Sequence, residues 1–237
     1  MQILITLCGR GGSKGIPGKN IKLLNGLPLI AYSIKHAKQF AELYKADIAL
    51  STNSKAIIEI AADLGVTTNY FRPEKFANDY AGKAETLQHV LTFEEKNRVK
   101  KYDYILDLDL TSPLRSVEDL ESAFKLFLEN ENALNLFSVN KASRNPYFNM
   151  VEIQENGFYG LVKKGNFVTR QSAPIVYELN ASFYFYRRSF FDQDILKTIT
   201  ERSLIYELEH ICFDLDHPID FEFMEYLMIH NKLDFKI

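Results

Sequence analysis

Short stretches that are apolar at nearly every position alternate along this chain with longer ones that repeat an apolar residue every third or fourth place. The first kind reads as buried strand, at residues 3–7, 48–51 and 104–110. The second kind reads as helix. Residues 28–39 place Leu29, Ile30, Ile34 and Ala37 on one face, and 55–64 close on Gly65. Residues 84–96 and 116–130 continue the pattern, the latter opened by Ser116 and Asp119 as an acidic capping box. Strand alternating with helix predicts an α/β fold: a mostly parallel, Rossmann-like sheet flanked by helices. Near residue 141 the pattern breaks. Residues 148–153 and 158–162 read as paired strands around Glu155-Asn156-Gly157, and 181–186 as a further strand. The chain then returns to strand at 211–213 and helix at 218–230. The expectation is one domain over 1–237 with a β-rich excursion at about 141–180, of the kind that forms a lid or an oligomer contact.

Composition narrows the classes. The 237 residues suffice for one large core. A net charge of -3 gives no electrostatic case for nucleic acid or an acidic membrane surface. No apolar run approaches the roughly 20 residues that cross a bilayer, and the start reads as strand and loop, not as a signal peptide. Two cysteines, Cys8 and Cys212, make no disulfide framework, so a reduced, cytoplasmic enzyme is expected. The five histidines show no metal-binding spacing, and Cys8 has no evident base beside it.

Chemistry concentrates after the first strand, in Cys8-Gly9-Arg10-Gly11-Gly12-Ser13-Lys14-Gly15-Ile16-Pro17-Gly18-Lys19-Asn20. Glycines let backbone N–H groups approach a ligand closely, and Arg10, Lys14 and Lys19 add full positive charge. That combination suits a polyphosphate whose charge builds in a transition state. It is not a Walker loop, because Asn20 follows Gly18-Lys19 and Ser13 stands at the required upstream glycine. It is not a dinucleotide fingerprint, because Lys14 occupies the third glycine position counted from Gly9. Far downstream, Asp214-Leu215-Asp216 stands between an apolar segment and a helix. Alternate residues of an extended segment face one side, so both carboxylates can meet a Mg²⁺ ion and leave most of its shell to water and phosphate. Asp216 is also placed to cap the helix that follows.

The run Arg10, Ser13, Lys14, Gly15, Pro17, Lys19, Asn20, then Leu24, Gly26, Pro28, Leu29, Ile30, resembles the signature of acylneuraminate cytidylyltransferases, the CMP-sialic acid synthetases. The resemblance implies a nucleotide-diphospho-sugar transferase-like fold and transfer of CMP from CTP to a nonulosonic sugar acid with release of pyrophosphate. By it, Gly9, Arg10, Gly11, Ser13, Lys14 and Asn20 bind the nucleotide. Arg10, Lys14 and Lys19 offset its charge, and Asp214 and Asp216 hold Mg²⁺. Asp216, or a hydroxide held by the metal, would take the proton of the attacking hydroxyl. Arg72-Pro73 with Ala77-Asn78-Asp79 resembles the base-binding segment, with Arg72 against the pyrimidine. Ala81 and Lys83 continue it where relatives commonly carry serine at 82 and 83.

Thr111-Ser112-Pro113-Leu114-Arg115 resembles the sugar-side motif, which usually begins Gln-Pro; here Asp109-Leu110 stands in those places. Asp109 and Thr111 are therefore assigned to the sugar, and Asp109 can bind a hydroxyl or ammonium of a different sugar or assist the metal. Asp107 shares its strand face. Arg170, Gln171, Asn180 and Tyr184 follow at family-like spacing and imply a sugar-binding arm that crosses to a second subunit of a homodimer. Phe148 replaces a common lysine, which favours a less polar, deoxygenated sugar. Two further readings keep the motifs: a nucleotidyltransferase for Kdo or a sugar phosphate, and a nucleotide-binding paralogue without chemistry. The paralogue is disfavoured, since every loop cation and both aspartates are present.

Overall fold

The computed structural model describes residues 1–12, 15–193 and 197–237. Its centre is a six-stranded sheet. β1 (Ile3–Cys8) pairs in parallel with β4 (Asp47–Ser51) on one side and β5 (Tyr104–Asp109) on the other. β6 (Asn135–Lys141), β9 (Tyr177–Arg187) and β10 (Ser203–Glu207) complete it in the order β10-β6-β9-β5-β1-β4, with β9 antiparallel to both neighbours. β2 (Leu23–Leu24) and β3 (Leu27–Pro28) form a small separate hairpin. The predicted mostly parallel α/β sheet is the one observed.

Side-chain alternation along β1 sorts the helices onto two faces. Ile3, Ile5 and Leu7 pack with α1 (Leu29–Tyr44), α2 (Lys55–Asp63) and α4 (Val117–Glu129). Leu4 packs on the other face with α3 (Lys83–Asn97), through Ala84, Leu87, Val90 and Leu91. The Ser116–Asp119 capping box opens α4 as expected. A third cluster joins Ile16 of the glycine loop to Leu215 and to Phe221, Met224 and Met228 of α5 (Pro218–Ile229). Burying side chains of this size contributes on the order of 1.5–3 kcal/mol each, so the loop and the aspartate segment are packed together, not merely adjacent.

The excursion departs where β6 meets β9. That ladder runs on to pair Lys141 with Tyr177, after a register shift at which Ala181 takes φ 56°. Within it, β7 (Val151–Ile153) and β8 (Tyr159–Leu161) pair antiparallel, shorter than predicted but in the predicted places.

One predicted strand is absent. Residues 211–213 form no strand, and β10 supplies the edge instead. After β10, Leu208 N–H donates to Val139, and Asn140 Nδ2 donates to the carbonyls of Leu208 and His210. The chain then leaves the sheet and crosses to Thr111, whose carbonyl accepts from Leu215 N–H. The apolar character of Cys212 and Phe213 serves packing against the third cluster, not a ladder. Asp216 does not cap α5 either. His217 is the N-cap, and Asp220 Oδ2 accepts from the N–H groups of both Asp216 and His217, at 3.0 and 2.7 Å.

Candidate active site

Ligands of open α/β sheets sit beyond the carboxyl ends of the strands. Here a cleft of about 330 Å³ opens beyond β1 and β5, lined by Gly9, Arg10, Lys19, Asn20, Arg72, Ala81, Asp109 and Thr111. Eight assigned residues thus meet in one place, joined by Cys8, Gly12, Asn78, Asp79, Lys83 and Thr86. Gly11 is outside the cleft lining, its N–H donating to Asn53 Oδ1 at 2.9 Å. Ser13 and Lys14 lie outside the described residues.

The glycine loop is pinned from beneath. Gly9 N–H donates to Ser51 O at 3.0 Å, and a Cβ at Gly9 would stand 2.5 Å from Leu110 Cδ1. A Cβ at Gly15 would stand 2.1 Å from the carbonyl oxygen of Asp216. Lys19 is buried, and its Nζ donates to Leu215 O at 2.6 Å and lies 3.4 Å from Asp216 Oδ1. Loop and aspartates are therefore one construction. Asn20 Nδ2 donates to Arg10 O at 3.0 Å, while its buried Oδ1 has no partner among the described residues and is available to a ligand donor.

On the β4 side, Arg72 is buried and anchored, with Nε donating to Ser51 Oγ at 2.9 Å and Nη2 to Ser51 O at 2.7 Å. A planar fork held by two bonds can present its remaining edge to a flat base. Arg10 Nη1 pairs with Asp79 Oδ1 at 2.6 Å, a partnership that spacing did not reveal because 69 residues separate the two.

On the β5 side, Asp109 Oδ1 accepts from both the N–H and the hydroxyl of Thr111 at 2.9 Å. Its Oδ2 faces Lys83 Nζ at 3.0 Å, and the same ammonium reaches Asp107 Oδ2 at 2.9 Å. Burial opposes the Asp109 charge, yet Lys83 and Thr111 outweigh it and hold the carboxyl below its ordinary value. Asp214 behaves in the opposite way. Burial first, then the carboxylates of Asp109 and Asp216, push it up to about 7. Its Oδ1 is buried without a partner among the described residues. An orphaned carboxylate oxygen beside further carboxylates is a hard-oxygen donor set of the kind Mg²⁺ takes. Among the described residues no three His, Cys, Asp or Glu side chains are grouped to enclose an ion, so phosphate and water would complete its shell.

Beneath the site, Arg115 is fully buried. It donates to Ser112 O, Ser182 O and Oγ, Ser33 Oγ and Asp109 O at 2.6–3.1 Å, tying the end of β5 to α1 and β9. Burial pushes the Cys8 thiol up to about 12, in keeping with no catalytic part for it.

The assigned sugar residues divide. Tyr184 stands behind the cleft with its ring 4.5 Å from Lys83 Nζ. Asn180 lies outside the cleft lining. Its side chain is spent inside the sheet, accepting from Ser138 Oγ and Ser182 N–H and donating to Asn140 Oδ1. This bonding holds the β9 irregularity closed. Phe148, Arg170 and Gln171 stay in the excursion, outside the cleft lining; Arg170 Nη2 donates to Ser143 O at 3.1 Å. Lys83 and Asp79 are the site residues that sequence reasoning underrated. Both lie in the segment matched to the base, but their partners are distant in the chain.

A glycine loop joined to paired aspartates at the carboxyl end of such a sheet defines a nucleotidyltransferase-type site. The chain belongs to the cytidylyltransferase family, whose model matches residues 5–232. It is 40% identical to the post-translational flagellin modification protein B of Campylobacter coli over 99% of this chain and 98% of that one. It is also 40% identical to a CMP-N,N'-diacetyllegionaminic acid synthase of Campylobacter jejuni, over 98% and 97%. Its fold matches that of a CMP:2-keto-3-deoxy-manno-octonic acid synthetase complexed with CTP, with TM-score 0.69, 16% identity and coverage of 98% and 100%.

Proposed function

We propose that this chain transfers CMP from CTP to the anomeric hydroxyl of a nonulosonic sugar acid, releasing pyrophosphate. The observation that carries the reading is the contact of Gly15 and Lys19 with the Asp214-Leu215-Asp216 segment, for Lys19 also lines the cleft while the two aspartates stand outside its lining. Arg72 and Asn20 would hold the nucleoside, while the loop N–H groups and Lys19 cradle the phosphates. Arg10 would turn from Asp79 to the same charge. The acceptor hydroxyl would attack the α-phosphorus in line as pyrophosphate leaves, and Asp216, the more exposed carboxylate of the pair, would take its proton. Asp214 and Asp216 would hold Mg²⁺, which when bound offsets phosphate charge. Positioning and fixed charge supply the rate.

The name of the 40%-identical C. jejuni relative points to an N,N'-diacetyllegionaminate-type acceptor. Val151, Ile153, Phe158, Tyr159, Val168 and Ile175 of the excursion are largely exposed, an apolar surface that a second copy would cover in a homodimer. Arg170 and Gln171 would then serve the partner's cleft. Both cysteines are free, and no helix among the described residues is long and apolar enough to cross a membrane.

The test is pyrophosphate release with CTP, Mg²⁺ and a panel of N,N'-diacetyllegionaminate, pseudaminate, N-acetylneuraminate and Kdo. Release with a nonulosonic acid and CTP is expected. Preference for ATP, or release with no acid in the panel, would sink the reading. Light scattering after size exclusion should give twice the 27.4 kDa chain mass; a pure monomer at assay concentration would remove the dimer.

A further inference from the structure

Lys83 opens α3 directly after Ala81 and Gly82 and lines the cleft, with its head group turned to the end of β5. The ammonium has three N–H donors. Two go to Asp107 Oδ2 and Asp109 Oδ2 at 2.9 and 3.0 Å, and the Tyr184 ring lies 4.5 Å away. Arg72 is anchored on Ser51 at the end of β4, whereas Asp109 ends β5. The order β5-β1-β4 puts two strand spacings, roughly 10 Å, between those tips.

We infer that Lys83 is a positioning residue for the acceptor: it holds Asp109 as an oriented carboxylate at the tip of β5 and so sets how tightly the cleft takes the sugar acid, without holding the nucleotide. The inference rests on the transfer reaction proposed above.

A carboxylate has about four acceptor positions. Thr111 fills two on Asp109 and Lys83 a third. The side chain remains 20% exposed and lines the cleft, so it presents an acceptor to a hydroxyl or amide N–H of the sugar. Charge makes the second half of the argument. Asp107 is fully buried, Asp109 lies two residues on along the same strand face, and Asp214 couples to Asp109. The proposed acceptor is itself an anion. Lys83 is the cation paired with Asp107 and Asp109, and without it both carboxylates would face the acceptor's charge uncompensated. Burial disfavours the Lys83 charge, but Asp107 and Asp109 overcome it and hold the ammonium well above its ordinary range.

The experiment compares Lys83→Met, Lys83→Met/Asp107→Asn and wild type. Calorimetry gives Kd for CTP, and pyrophosphate release gives KM for N,N'-diacetyllegionaminate at saturating CTP. Lys83→Met should raise the acceptor KM by at least about tenfold and leave CTP affinity within about threefold. The double variant lacks the buried unpaired charge, so it folds even where the single one fails, and it should keep the raised acceptor KM. Wild-type acceptor KM in the double variant would mean that Lys83 merely neutralises Asp107 and would overturn the inference. So would a loss of CTP affinity as large as that of the acceptor. A wild-type enzyme that turns over no sugar acid would overturn the functional reading and this inference together, whereas the other two outcomes overturn the inference alone.

Discussion

Gly15 and Asp216 meet backbone against backbone, 201 positions apart, so closely that a methyl group on the glycine would stand 2.1 Å from the aspartate carbonyl oxygen. Backbone cannot yield as a flexible side chain does, so a Gly15→Ala variant must displace either the loop or the aspartate segment. A displacement near 1 Å at a reacting centre costs on the order of a hundredfold in rate. Turnover should fall by about that factor. The displaced segments share the third cluster through Ile16 and Leu215, so the melting temperature should fall as well, by a few degrees. Unchanged turnover would mean that the two segments act independently.

Arg115 shows what the same site demands of the fold. Its guanidinium is fully buried and serves Ser33, Ser112, Ser182 and Asp109, and burial pushes its pKa down to about 10. Arg115→Met fills the volume but strands the hydroxyls and carbonyls it served. Losing one member of such a buried network costs about 3–5 kcal/mol. At this chain length each kcal/mol shifts melting by roughly 2–4 °C. A fall of about 10 °C or more is expected in calorimetry; a fall under 2 °C would show that water replaces the network.

Much of this was legible in advance, and the misses share a cause. Ile3, Leu4, Ile5 and Leu7 announce β1 through apolarity alone, and the loop and aspartate motifs are read residue by residue. The strand misread at residues 211–213 is more apolar than Ser203–Glu207, the true edge, because Cys212 and Phe213 pack beneath α5. β6 was missed because Asn135 and Ser138 interrupt it. Both are buried and satisfied by groups far along the chain, Thr198 O for Asn135 and Asn180 Oδ1 for Ser138. The Lys83–Asp107–Asp109 group and the Arg10–Asp79 pair were hidden likewise. Local pattern reports burial and periodicity, while these pairings exist only once topology has joined distant positions.

His210 offers a pH-dependent test. Nε2 faces Asp119 Oδ2 at 2.9 Å and Nδ1 faces Ile211 O at 3.0 Å, so both ring nitrogens meet acceptors, which favours the protonated ring. Burial opposes that charge, but Asp119, the Ile211 carbonyl and Asp234 raise the pKa above its usual value. A base whose pKa is raised by folding contributes stability that is whole below its unfolded pKa, about 6.5, and disappears as pH climbs through the folded value. The melting temperature of wild type should exceed that of His210→Gln at pH 6, and the gap should narrow as pH rises towards 9. A gap constant across that range would leave packing on the Phe235 ring, 3.7 Å away, as the whole effect.

Asp214 reverses the sign. Burial, Asp109 and Asp216 push its carboxyl up to about 7, whereas an unfolded aspartate releases its proton near about 3.9. Between those values the folded chain binds more protons than the unfolded one, so stability falls as pH rises, and the whole penalty persists above the folded pKa. Asp214→Asn removes it. The ligand-free variant should therefore melt higher than wild type at pH 8 by a few degrees, and the two should converge towards pH 4. The same change should cut turnover by at least about a hundredfold, because it removes a carboxylate assigned to Mg²⁺. Lower stability of the variant at pH 8 would show that the native fold depends on the charged carboxylate. Higher stability with activity lost would mark Asp214 as a residue retained for chemistry at the expense of the fold.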